Sequence, residues 1–161
     1  MDPTSRHLAF HLQALQATVG VAVAAAAPSG APSPQFFASH DGEIIAFRTL
    51  GDPAGCAVML LHGYGGNGTS WFNMGHPQRL ATLGCFVVVV DLRGHGASAM
   101  PITAEDWTKD AEMRDLVSLA DELKLQQYMA VSQSHGSIEL AKMLTADGRL
   151  IAAVLGEYGD G

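Results

Sequence analysis

The chain has 161 residues, a length that suits one domain with a substantial core. Hydrophobic residues make up 48% and charged residues 16%, which is typical of globular α/β proteins and excludes an intrinsically disordered chain. The formal net charge of -7, without a basic stripe, argues against nucleic-acid binding, and no apolar stretch is long enough to span a bilayer. We therefore expect one globular domain that neither binds nucleic acid as its main role nor spans a membrane.

The first 34 residues are predicted to be an extension of the folded unit. Ala17–Ala27 is an apolar, alanine-rich stretch, and a Pro/Ser/Gly cluster typical of a linker follows from Pro28 to Pro34. A signal or transit peptide is the alternative to an Ala-rich helix or flexible extension. Because Arg6 is the only firm positive charge there, we favour the extension and a cytoplasmic location, with the folded domain over residues 35–161.

The remaining sequence alternates between strand-like and helix-like patterns. Asp41-Gly42 is a strong turn signal between two short strands and predicts an antiparallel hairpin. Apolar runs predict further strands at 56–61, 85–90, 128–132 and 151–155. Helices are predicted at 69–83, kinked or restarted by Pro77, at 104–124 and at 138–145. The predicted fold is α/β: a mostly parallel sheet with an N-terminal antiparallel hairpin.

Apolar spacing also predicts which faces of the last two helices are buried. The inward residues expected for these helices are Met113, Leu116, Val117, Ala120 and Leu123 in one, and Leu140, Ala141 and Leu144 in the other.

The two cysteines, Cys56 and Cys85, each begin an apolar run. Reduced, buried thiols are the favoured interpretation, while a disulfide between neighbouring strand starts would need an oxidising compartment. Neither spacing resembles a metal site, and the Gly63–Gly68 loop lacks the Lys-Ser/Thr of a phosphate-binding loop. We predict no metal and no cofactor.

Ser134 lies between a predicted strand and a predicted helix, in the sequence Val131-Ser-Gln-Ser-His-Gly136. A sharp strand-to-helix turn needs small residues two places before and after its centre, and Ser132 and Gly136 meet that requirement. Such a turn would lift the Ser134 hydroxyl above the carboxyl end of the sheet, where α/β folds bind ligands. The pattern favours a serine nucleophile.

Three motifs in the right order resemble the α/β-hydrolase fold superfamily, over residues 36 to 155. They are Leu60-Leu-His-Gly63 ahead of Trp71, Asp91-Leu-Arg-Gly-His-Gly-Ala-Ser98, and the elbow at Ser134. The resemblance implies hydrolysis of a small-molecule ester or similar bond, with Ser134 as nucleophile. It also implies an oxyanion hole formed by the backbone N–H groups of Tyr64 and His135.

The elbow also resembles that of the cofactor-independent 2,4-dioxygenases, which carry Ser-x-Ser-His-Gly there. That narrower likeness implies proton abstraction and reaction with oxygen instead of acyl transfer. It covers six residues, and Gly66 and Gln133 stand where polar residues of that group are expected.

Either chemistry needs a general base supported by an acid. In the superfamily the histidine follows the last strand of the sheet, which we expect to be missing from a chain of this length, so a truncated, inactive form is predicted. Glu157 follows the 151–155 strand at an alternative acid position of the superfamily and is the tentative acid. A non-catalytic pseudoenzyme or binding module is the competing hypothesis, with self-association through an exposed sheet edge.

Other polar residues in these loops are predicted to have structural roles. We expect the rings of His62 and His95 to satisfy local backbone groups, and Asp91 to hold a tight turn through hydrogen bonds. The ring of His135 is expected to shape the pocket or cap the helix.

Overall fold

A computed structural model describes residues 30–108 and 110–157. The expectations for residues 1–29 lie outside this range. No described helix is long and apolar enough to cross a membrane. In chain order the elements are β1 Gln35–Ala38, β2 Ile44–Leu50, β3 Cys56–Leu61, α1 Thr69–Asn73, α2 His76–Thr82, β4 Cys85–Val90, a 3-10 turn Ala104–Asp106, α3 Ala111–Glu122, β5 Tyr128–Gln133, α4 His135–Ala146 and β6 Leu150–Gly156.

The six strands form one sheet in the order β1-β2-β4-β3-β5-β6. β1 and β2 form the predicted antiparallel hairpin, and β2 also runs antiparallel to β4. The strands from β3 onward pair in parallel. The α/β architecture predicted from the sequence, with an antiparallel edge on a parallel sheet, is confirmed.

The core occupies both faces of the sheet, which explains why β3 and β4 are unbroken apolar runs. On one face α3 and α4 pack through Leu116, Leu119, Leu140 and Met143. On the other face α1 contributes Trp71 and Phe72. Because parallel strands place their carboxyl ends at one edge, the loops after β3, β4, β5 and β6 meet there.

The predicted start of the helix at 104–124 is wrong by seven residues. Residues 104–106 form a 3-10 turn, and the α-helix begins only at Ala111. The buried Arg93 side chain donates to the Asp106 carbonyl oxygen at 2.9 Å, which removes that acceptor from a helical ladder. Trp107 then packs its ring against Gly94 and donates to the Pro101 carbonyl oxygen. These contacts favour a folded loop over a continuous helix.

The bounds of two other predicted helices differ from those in the structure. The helix predicted at 69–83 is interrupted at Gly75, which has a φ of 76°, so the break precedes Pro77, and Pro77 lies in the first turn of α2. The last helix begins at His135 and not at residue 138.

The predicted helix faces are also only partly right. Leu116, Ala120 and Leu140 are buried, whereas Leu144 is 51% exposed and Met143 takes the inward position. Leu119 is fully buried although it was not predicted, and Val117 is half-buried.

Candidate functional site

Ser134 lies at the turn between β5 and α4. Its backbone has φ 47° and ψ −116°, a strained conformation for a residue with a side chain. Its N–H donates to the Gly156 carbonyl oxygen at 2.8 Å, and its own carbonyl oxygen accepts from the Ser137 N–H at 2.8 Å. The chain thus turns sharply from strand into helix at Ser134, and this residue is exposed at the carboxyl edge of the sheet.

The two flanking small residues are explained by backbone contacts. A Cβ added to Gly136 would lie 2.7 Å from the His62 carbonyl oxygen and 2.9 Å from the Leu61 Cβ. Ser132 is buried, and its hydroxyl lies 2.9 Å from that of Ser137. Gly136 therefore has no room for a side chain, and Ser132 places a small, hydrogen-bonded side chain at a buried position, as the sequence pattern predicts.

The glycine-rich loop after β3 lies against the Ser134 turn. A Cβ added to Gly63 would lie 3.2 Å from the Ser134 Cβ. The Gly66 N–H donates to the Gly63 carbonyl oxygen at 3.1 Å, and Gly65 has a φ of 72°, so the loop turns back tightly. Tyr64 is 83% exposed, and its N–H has no acceptor among the described residues.

A cavity of about 260 Å³ opens at this edge of the sheet. It is lined by His62, Gly63, Tyr64, Gly66, Ser70, Gln133, Ser134 and Glu157. Ser70, at the start of α1, was not predicted, because a serine after an Asn-Gly-Thr turn carries no distinctive sequence signal. A larger hollow of about 360 Å³ lies between β1 and α3 and shares no residue with this cavity.

Glu157, the predicted acid, lines the same cavity. It follows β6 directly, is exposed and has a φ of 52°. Its Oε2 lies 3.5 Å from the Gln133 Nε2, at the limit of a hydrogen bond. β5 and β6 are neighbours, so residues 134 and 157 follow adjacent parallel strands. The structure therefore brings Ser134, Tyr64 and Glu157 to one cavity.

His135 directs its side chain to α3. Its Nε2 lies 2.9 Å from the Glu112 Oε1. The hydrogen bond to Glu112 raises the pKa of His135, because it favours the charged imidazolium. Its ring also lies 6.2 Å from that of Tyr64. His135 is the first residue of α4, so its N–H has no intrahelical acceptor and is free to bind a ligand.

His62 is the one histidine that lines the cavity among the described residues, and both of its ring nitrogens are engaged. Its Nδ1 lies 2.8 Å from the Gly63 carbonyl oxygen and its Nε2 accepts from the Leu92 N–H at 3.0 Å. Burial lowers the pKa of His62, which keeps the ring neutral. This ring holds two loops together and has no nitrogen left to accept a proton from Ser134.

The loop after β4 is held by Asp91, as predicted. One carboxylate oxygen accepts from the Gly68 N–H at 2.7 Å and the other from the Ala97 N–H at 2.9 Å. The His95 Nδ1 lies 2.9 Å from the Arg93 carbonyl oxygen, so this ring also satisfies the local backbone. These contacts fix the glycine-rich loop relative to the sheet.

Two carboxylate-histidine groups are compact enough to consider as metal ligands: His40 with Asp41 and Asp115, and Glu112 with His135 and Glu139. A cationic side chain already pairs with carboxylates in each group. Arg93 lies 2.7 Å from Asp41 and 2.7 Å from Asp115, and Lys142 lies 2.8 Å from Glu139. Their geometry is explained by ion pairs.

Comparison with known proteins identifies relatives over most of the described chain. A family model for the alpha/beta hydrolase fold matches residues 57–154. A non-heme chloroperoxidase from Streptomyces lividans is 32% identical over 121 residues, which cover 73% of this chain and 42% of that protein. The bifunctional epoxide hydrolase 2 of Sus scrofa is 30% identical over 86 residues, covering 53% of this chain and 15% of its own length.

Solved structures agree with the sequence matches. An epoxide hydrolase from Vigna radiata superposes with a TM-score of 0.69 and 25% identity, over 76% of this chain and 39% of that one. A hydrolase from Pseudomonas aeruginosa gives a TM-score of 0.69 and 27% identity, over 76% of this chain and 45% of its own. This chain therefore spans less than half the length of each of these relatives.

Proposed function

The chain belongs to the alpha/beta hydrolase fold family, and we propose that it carries the nucleophile part of a serine hydrolase site for small-molecule ester-like substrates. Ser134 is the nucleophile, and the N–H groups of Tyr64 and His135 form the oxyanion hole. Glu157 is the tentative acid. The observation that supports this best is the strained turn at Ser134, which exposes this residue in the cavity that Tyr64, with its unpaired N–H, also lines.

The proposed reaction begins with attack of the Ser134 Oγ on an ester carbonyl carbon. The carbonyl oxygen gains negative charge, which the two N–H groups stabilise, and loss of the alcohol leaves an acyl-enzyme. Water then releases the acid. Names of relatives do not select the substrate, because they describe a chloroperoxidase and epoxide hydrolases.

The Ser134 proton must pass to a base, and the described residues that line the cavity offer no free imidazole. His62 is engaged on both ring nitrogens, and the His135 ring is paired with Glu112. We therefore expect the described part of the chain, without a further imidazole, to support only very slow ester turnover. The proposed site requires an imidazole in addition to those of His62 and His135.

Phosphonylation in the presence of added imidazole tests the assignment. The 161-residue chain is incubated with a fluorophosphonate, with and without imidazole as a soluble base, and analysed by intact mass and peptide mapping. We expect one adduct on Ser134 whose rate of formation rises with imidazole. Ser134→Ala should abolish it, whereas the matched variant Ser70→Ala, which removes the other serine hydroxyl of the cavity, should retain it.

Labelling that persists in Ser134→Ala would assign the nucleophile elsewhere. An unlabelled wild-type chain at high imidazole would contradict a formed nucleophile and oxyanion hole in this chain.

A second candidate is a binding module that associates through β6. Ile151 and Val154 on this edge strand are 57% and 59% exposed, and β6 carries no charged residue. Such edges favour pairing with another strand. Light scattering after size exclusion discriminates the two: a dimer that Val154→Lys converts to monomer supports association, while a stable monomer at high concentration argues against it.

A further inference from the structure

Cys56 and Cys85 lie side by side at the start of neighbouring parallel strands. They are register partners in the pairing of β3 with β4. Cys85 packs with Val87 and Val89 on the face that also buries Val58. Since side chains alternate along a strand, Cys56 projects from the same face as Val58. Both thiols are free and face the same side of the sheet.

The backbone holds the two strand starts close together. A Cβ added to Gly55 would lie 2.0 Å from the Gly84 carbonyl oxygen, so the turns that precede the two cysteines are in direct backbone contact. Neighbouring strands lie about 4.8 Å apart. That spacing falls inside the Cα–Cα range of about 4.4–6.8 Å that is usual for a disulfide.

We propose that Cys56 and Cys85 are a reversible redox pair that forms an intrachain disulfide when the chain meets a disulfide oxidant such as oxidised glutathione. The Cys56 thiolate attacks one glutathione sulfur and releases the other as a thiol. Cys85 then attacks the Cys56 sulfur and displaces the second glutathione, and the Cys85 proton passes through solvent to that glutathione, which leaves as a thiol. Two protein thiols are oxidised and one glutathione disulfide is reduced to two thiols.

Exposure sets the order of the two steps. Cys56 is exposed, whereas Cys85 is only 7% exposed. Burial, with the Cys56 thiol beside it, raises the pKa of Cys85 to about 12, so Cys85 is a poor first nucleophile. Cys56 meets the oxidant and Cys85 resolves the mixed disulfide.

The bond would lie at the end of the sheet opposite Ser134. β3 carries Cys56 at its first residue, and the site loop follows its last residue, about 18 Å further along the strand. The disulfide would therefore fasten β3 to β4 without covering the cavity. This inference does not depend on the proposed hydrolase activity.

The experiment equilibrates the full chain with graded ratios of reduced and oxidised glutathione, followed by acid quench and intact mass. We expect a monomer that has lost two hydrogens, with Cys56 and Cys85 in one linked pair of peptides. Because the bond closes a loop of about 30 residues, the oxidised form should melt about 7–15 °C above the reduced form.

Matched variants separate this result from other oxidations. Cys85→Ala should accumulate a glutathione adduct on Cys56, and Cys56→Ser should stay unmodified. A wild-type chain that keeps the glutathione adduct, links to a second chain through Cys56, or retains both thiols at the most oxidising ratio would overturn the proposal.

Discussion

Substitution of Gly136 by alanine is a direct test of the sharp turn at Ser134. Gly136 is the second residue of α4, and its α-carbon lies against the end of β3. In Gly136→Ala, the new Cβ would meet the His62 carbonyl oxygen at 2.7 Å, the Leu61 Cβ at 2.9 Å and the Leu61 carbonyl oxygen at 3.0 Å. All three atoms are backbone or Cβ atoms, so no side-chain rotation relieves the contact.

The size of the effect follows from two opposing terms. Overpacking of this kind costs about 3 kcal/mol, because α4 and β3 must separate to restore van der Waals distance. Alanine also stabilises the helix by about 1 kcal/mol relative to glycine, because its helix propensity is higher. The net expected loss is about 2 kcal/mol of unfolding free energy, equivalent to a melting temperature about 5–10 °C lower.

Urea unfolding followed by circular dichroism measures this loss. Gly148→Ala is the matched control, because nothing lies within 4 Å of the point that its new Cβ would occupy and its backbone suits an L-residue. We expect the control to unfold at the wild-type midpoint. If Gly136→Ala unfolds there as well, the close approach of α4 to β3, and with it the sharp turn at Ser134, is refuted.

Three other perturbations have defined outcomes. Asp115→Ala removes the carboxylate that binds the fully buried Arg93 at 2.7 and 2.8 Å, and should cost about 3–5 kcal/mol in urea unfolding, partly recovered in a double variant with Arg93→Met. Burial opposes ionisation of Asp147, but hydrogen bonds from Arg149 outweigh it and lower its pKa from 3.8 to about 2. About 2 kcal/mol of stability should therefore be present above pH 4 and disappear as the pH falls through 2, and Asp147→Asn should lack this loss. Ser134→Gly, which relieves the positive φ, should melt above Ser134→Ala by the equivalent of about 1 kcal/mol, and equal melting would argue against strain there.

The strands could be predicted from the sequence because each one depends on a run of neighbouring apolar residues. Cys56–Leu61 and Cys85–Val90 match their predicted bounds, since unbroken runs of apolar residues suit strands that are covered on both faces. The antiparallel hairpin was equally accessible, because an Asp-Gly turn between short apolar segments favours that geometry.

The loop between β4 and α3 was not predictable, because a distant side chain decides it. Residues 104–110 have the composition of a helix start. However, Arg93 donates a hydrogen bond to the Asp106 carbonyl oxygen, and the Trp107 ring packs against Gly94. Nothing in the local sequence indicates that an arginine more than ten residues away is buried at that point. The predicted start of α4 was three residues too late, because His135 and Gly136 do not carry the apolar pattern by which a helix is recognised.

The candidate site was likewise predictable only in part. The small residues around Ser134 predict the sharp turn. The glycines after β3 predict a loop whose backbone can lie close to another segment. The partner of His135 carries no such signal: Glu112 is 23 residues away on another helix. That pairing matters for the chemistry, because it removes the one imidazole adjacent in sequence to Ser134 from the candidates for its base.

The distribution of strained backbone around the cavity supports a functional interpretation on physical grounds. Ser134 and Glu157 are two of the three non-glycine residues with positive φ among the described residues, and both follow neighbouring strands into the same cavity. Each such conformation costs about 1–3 kcal/mol, so the surrounding structure must hold it. The Gly156 carbonyl oxygen does so for both positions, because it accepts the Ser134 N–H and the Ser137 hydroxyl immediately before the chain turns at Glu157. The end of β6 thereby fixes the proposed nucleophile relative to the proposed acid, and a change that moves Gly156 should disturb both together.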